Sequence, residues 1–110
     1  NITSVSTDDY PITINDYQLY QNYPNPFNPS TKIGYKLKER GYVKLMVYDI
    51  KGELISFLVN KEQNAGYYEV EFSSSSIQNL ASGIYLYRIE VIGKGKIPVF
   101  SEMKKMILIK

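Results

Sequence analysis

Three features of the sequence predict an all-β fold, an immunoglobulin-like antiparallel β-sandwich of about seven strands. Short segments alternate apolar and polar residues with a period of two. Turn residues recur at a spacing of roughly ten residues. No stretch sustains a helical period for three turns. The eleven tyrosines and the lack of tryptophan fit the same class, because tyrosine favours strands and half-wet surfaces. A small closed barrel is the alternative within that class.

At 110 residues the chain has the length of one domain with a single modest core. A net charge of +2 indicates neither a nucleic-acid footprint nor a polybasic membrane patch. The absence of cysteine and histidine excludes disulfides, thiolate nucleophiles and the common zinc sites. No apolar run approaches the ~20 residues that span a bilayer. Beginning at Asn1 without a methionine or a signal-peptide pattern, the chain is expected to be a piece of something longer.

In chain order, residues 1–16 are rich in Ser, Thr, Asp and Asn and read as a linker or N-terminal extension. Within them Tyr10 to Ile14 alternates and is able to pair with a sheet edge. Residues 17–110 form the domain. Tyr17 to Gln21 is a first short strand. It leads into Pro24, Asn25, Pro26, Phe27, Asn28 and Pro29. Each proline fixes φ near −65°, removes a donor and pushes the preceding residue into the extended region. Neither a helix nor an interior strand survives that pattern. It predicts a stiff irregular crossing, with asparagine side chains bonding nearby backbone and the rings of Tyr23 and Phe27 pinning it to the core.

Thr31 to Leu37 is a half-buried strand with Ile33, Tyr35 and Leu37 inward. Lys38 to Gly41 is a charged turn with a glycine available for positive φ. Tyr42 to Ile50 presents Val43, Leu45 and Val47 on one face, and Asp49 to Gly52 turns it into a partner strand over Glu53 to Val59. Asn60 to Gly66 reads as a polar connection. Tyr67 to Phe72 alternates, with Tyr68, Val70 and Phe72 inward. Ser73 to Ser76 is a solvated loop, and Ile77 to Gly83 has the composition of one helical turn. Ile84 to Ile92 places Tyr85, Tyr87, Ile89 and Val91 on one face. Gly93 to Lys96 turns the chain, Pro98 delays its return to the sheet, and Ser101 to Lys110 closes it with Met106 and Leu108 inward.

Little in this sequence suggests catalysis. The serine run has no positioned base, and Glu69 and Glu71 share the outer face of one strand, whereas hydrolytic carboxylate pairs flank a groove. Gly93 to Lys96 lacks the length of a phosphate loop and the helix that follows one, and reads as a hairpin turn, a basic contact patch being the lesser alternative. Asp49, Asn25 and Asn28 lack the dense spacing of a calcium loop. No cofactor and no metal are expected. Exposed tyrosines on a sheet face are able to stack on sugars, but inward rings such as Tyr35, Tyr85 and Tyr87 read as core, and core is the favoured reading of the tyrosines.

The motifs taken together are more specific than any one of them. Gln21 to Tyr35, with its three prolines, is followed by Val47-Tyr48-Asp49-Ile50-Lys51-Gly52 and Asn64-Ala65-Gly66-Tyr67. Leu80-Ala81-Ser82-Gly83-Ile84-Tyr85-Leu86-Tyr87-Arg88 comes next, and Lys104-Lys105-Met106-Ile107-Leu108-Ile109-Lys110 ends the chain. In order and spacing this set resembles the type A C-terminal sorting domain of the type IX secretion system, over Tyr17 to Lys110. That domain type is itself similar to an Ig-like domain of flagellar hook-assembly proteins. The stretch Lys96 to Val99 departs from the pattern by lengthening the last hairpin.

The resemblance implies a non-catalytic module that directs an N-terminally fused cargo across the outer membrane of Bacteroidetes-type bacteria, by way of the periplasm, for surface attachment or release. Its implied partners are the outer-membrane secretion machinery and a sortase-like protease, with no nucleic acid. The implied export-recognition residues are Gly83 and Tyr85 together with Met106, Ile107, Leu108, Ile109 and Lys110. Two other functions are compatible with the residues: a subunit of an extracellular filament or tube, a homo-oligomer built by donating the Tyr10 to Ile14 strand, and a carbohydrate-binding accessory module of a secreted hydrolase.

Overall fold

Alternation of apolar side chains decides which face of each strand turns inward, and seven strands result. The computed structural model describes residues 16–77 and 79–110. The strands are β1 (Gln18–Leu19), β2 (Ser30–Leu37), β3 (Gly41–Tyr48), β4 (Leu54–Gln63), β5 (Gly66–Ser73), β6 (Gly83–Ile92) and β7 (Pro98–Leu108). All the strand pairings are antiparallel. They form two sheets, one ordered β1-β2-β5 and the other β4-β3-β6-β7. The sheets face one another as an immunoglobulin-like sandwich, and among the described residues there is no α-helix.

The core lies where the inward faces meet. Ile33, Tyr35, Leu37 and Phe72 come from the three-stranded sheet. Val43, Leu45, Val47, Tyr87, Ile89, Val91, Met106 and Leu108 come from the four-stranded one. Both sets match the alternation read from the sequence. Asp49 closes the β3–β4 turn as expected: its Oδ1 accepts from the backbone N–H of Lys51 and of Glu53, each at 2.9 Å, while Gly52 takes φ 88°.

Five expectations are corrected. β4 runs on through Gln63, so Asn60 to Gln63 is strand and not connection, because Gly41 to Lys44 supply ladder partners opposite it. Gly41 is not a positive-φ hinge. It begins β3, where an added Cβ would lie 2.9 Å from the Ile92 carbonyl oxygen, so the need is close approach. The serine run is a short 3₁₀ turn over Ser74–Ser76, and Ser74 is buried with its N–H donated to the Pro29 carbonyl at 2.8 Å. The helical turn expected over Ile77 to Gly83 is absent from its described residues, although Leu80 is buried and Ile77 packs on the core. Pro98 does not delay the last strand but opens it opposite Ile92, the first position of a strand being one that tolerates a missing donor. The Tyr10 to Ile14 segment lies outside the described residues.

Candidate functional site: the braced C-terminal strand

Gly83 and Tyr85 face the end of β7 in register. Gly83 stands opposite Leu108, Ile84 opposite Ile107, and Tyr85 opposite Met106. Gly83 has φ 149°, a conformation side-chain-bearing residues rarely adopt. The Tyr85 ring is buried and its hydroxyl donates to the Ala81 carbonyl at 2.5 Å, which folds the 81–85 corner against the sheet. Met106 and Leu108 are buried in the core, while Ile107, Ile109 and Lys110 are exposed. Tertiary structure therefore gathers the seven expected recognition residues at one end of the β6–β7 hairpin.

The proline segment meets them there. Phe27 forms a parallel bridge with Leu108. Its N–H donates to the Ile107 carbonyl at 2.9 Å, and its own carbonyl accepts from the Ile109 N–H at 3.0 Å. The Ile107 N–H donates to Asn25 Oδ1 at 3.0 Å, and Gln21 Nε2 donates to the Lys105 carbonyl at 2.8 Å. On the other flank the Lys110 N–H donates to Ser82 Oγ at 2.9 Å. The outer edge of β7, which would otherwise offer unpaired backbone groups, is thus capped from Lys105 to Ile109.

Phe27 is only 2% exposed and meets Phe72 edge to face, with ring centroids 6.0 Å apart. Tyr23 corrects the expectation of a second pin, since it is 81% exposed. The reason is strand parity. Tyr23 exchanges two backbone hydrogen bonds with Lys32, so its side chain points opposite to that of the neighbouring Asn22. Asn22 is the inward residue. Its Nδ2 donates to Thr31 Oγ1 at 2.9 Å and to the Pro24 carbonyl at 3.1 Å, and Thr31 Oγ1 donates to the same carbonyl at 2.8 Å. Asn28 and the three prolines are exposed.

Tyr87 joins the two sheets beneath this crossing. Its hydroxyl donates to the Tyr20 carbonyl and accepts from the Asn22 N–H, both at 2.8 Å. Burial pushes this phenol up to about 12, against a weaker lowering from the Asn22 N–H and a small rise from Glu102. Tyr35 is likewise pushed up to about 12 by burial, partly offset by its hydrogen bond to Gln63. The roles of Asn22, Thr31 and the Tyr87 hydroxyl were not read from the sequence. Period-two parity from Tyr23 offered a local signal for Asn22. Nothing local signals a bond between residues 65 apart.

Asp49 and Asn25 both use their side-chain oxygens on backbone donors. Among the described residues no group of three or more acidic side chains is placed to hold a metal ion.

The fold and this braced strand define an immunoglobulin-like β-sandwich module whose distinctive chemistry lies in main-chain and apolar contacts at its C-terminal end. The sequence model of the family described as "Secretion system C-terminal sorting domain" matches residues 21–107. The chain belongs to that family, the C-terminal sorting domains of type IX secretion, which are non-catalytic. Among solved structures it is similar in fold to the crystal structure of dimeric latent PorU from Porphyromonas gingivalis, with a TM-score of 0.66 and 23% identity. That match covers 87% of this chain and 10% of the other, so the chain spans about a tenth of the structure it resembles. The search of curated proteins found no match.

Proposed function

We propose that residues 17–110 are the sorting module of an N-terminally fused cargo, that residues 1–16 tether the two, and that the end of β7 carries the address. In this reading the outer-membrane secretion machinery recognises the module after its passage through the periplasm. A sortase-like protease then acts on it, and the cargo is attached at the cell surface or released. One observation carries the reading: Gly83, Tyr85 and Met106 to Leu108 lie in register, with Ile107, Ile109 and Lys110 exposed on a strand whose outer edge is already capped. Capping favours recognition through those exposed side chains over addition of a new strand at the same edge.

The test changes side chains that the fold does not need. Ile109 is 52% exposed and Lys110 is exposed, so replacing both with alanine should shift stability by no more than about 0.5 kcal/mol. In a secretion-competent host the doubly changed module should leave its cargo in the periplasm. Normal surface delivery of that cargo overturns the assignment of the address to this end.

A further inference from the structure

Far from the braced end, the outer face of the four-stranded sheet holds an open groove of about 640 Å³ beside the β6–β7 hairpin. Tyr42, Lys44, Phe57, Asn60 and Glu62 line it from β3 and β4, and Lys96 lines it from the hairpin tip. Its volume lies within the range of small-ligand sites. The Phe57 ring is 45% exposed, although ladder register shifts on either side of Met46 and Val47 leave it opposite Met46 on this face. The Tyr42 hydroxyl donates to Asn60 Oδ1 at 2.8 Å, which leaves the Asn60 amide nitrogen as a donor.

The charge of the groove is positive in effect. Its carboxylate, Glu62, is paired with Arg40 at 2.7 Å. Lys44 and Lys96 have no carboxylate within ion-pair distance among the described residues. Lys96 follows Gly95 (φ 76°) and itself takes φ 60°, a left-handed conformation that glycine or asparagine adopts at less cost. The turn that joins β6 to β7 imposes this conformation, and it holds Lys96 at the rim of the groove.

We propose that this groove binds an anionic saccharide, one sugar ring resting on Phe57 and Tyr42 while its carboxylate or phosphate lies between Lys44 and Lys96. An aromatic surface flanked by Lys44, Asn60 and Lys96 suits a ring with an apolar face and polar edges. The groove is open, and five of the eight residues that line it are polar or charged, which suits a saccharide better than the apolar side chains of an extended peptide.

Titration of the isotopically labelled protein with digalacturonate, followed by amide NMR, tests the site. Resonances of Lys44, Phe57, Asn60 and Lys96 should move and saturate, whereas those of Ile107 and Ile109 should not. Lys96→Gly relieves the left-handed backbone, so it should keep or raise the melting temperature while weakening binding about tenfold. Phe57→Ala should abolish saturation. Digalacturonate that leaves these resonances unmoved overturns the site, as does a Lys96→Gly protein that binds like the parent. Equal shifts with inorganic phosphate overturn the role of the sugar ring, and equal binding of neutral cellobiose overturns the role of the charge.

Discussion

Phe27 and Tyr23 are four residues apart in the same crossing, yet burial separates them completely. Phe27→Ala removes a ring packed on Phe72 and should cost about 3–5 kcal/mol. Tyr23→Ala should stay within about 0.5 kcal/mol, because the ring is in solvent. Urea titration of the two variants checks both, and equal losses would contradict the parity that turns Asn22 inward. Asn22 itself is buried and holds Thr31 and Pro24 together. Asn22→Ala removes one hydrogen bond to each, while Thr31 Oγ1 still donates to the Pro24 carbonyl, and should cost about 1 kcal/mol in the same titration.

The decisive element is β7, whose two edges are served by different parts of the chain. Its inner edge pairs with β6, and near its end the outer edge pairs with Asn25 and Phe27. Hydrogen exchange separates these contributions residue by residue. Asn25→Ala frees the Ile107 N–H and should speed its exchange, while the amides of Met106 and Leu108, which point to β6 by strand alternation, keep their protection. Uniform acceleration along β7 would mean that Asn25 holds the whole strand. Truncation after Lys105 is a different matter, since it takes Met106 and Leu108 out of the core and should destabilise the module strongly.

For the whole molecule, two buried phenols set a response to alkali. Tyr35 and Tyr87 are both raised from 10.0 to about 12 in the folded protein, by burial above all. A raised value means the folded state holds the proton more tightly than the unfolded chain does. The associated stability is complete below about pH 10 and is lost as pH rises through about 12. Urea midpoints should therefore hold up to about pH 10 and fall from there to about pH 12, in step with late-titrating tyrosinate absorbance. Tyr87→Phe should remove one of the late-titrating groups. It should also loosen the crossing, since the Tyr20 carbonyl and the Asn22 N–H lose a shared partner. A midpoint that holds steady over that interval would show that neither phenol is sheltered.

By itself the sequence determined the class of fold, because burying one face of a strand imposes a period of two on its residues. Ile33-x-Tyr35-x-Leu37 and Tyr85-x-Tyr87-x-Ile89-x-Val91 carry that period openly. It also determined the turns, where Asp49 and Gly52 do local work between neighbours. Family membership was legible from the order of motifs. Tertiary structure alone decided that β4 extends to Gln63, that Tyr23 turns outward, and that Asn25 and Phe27 cap Ile107 and Ile109. Each depends on a strand partner that is not a neighbour in sequence, from nine residues away for Tyr23 to 82 for Asn25, and an unpaired backbone group takes whichever partner the assembled sheets bring within reach.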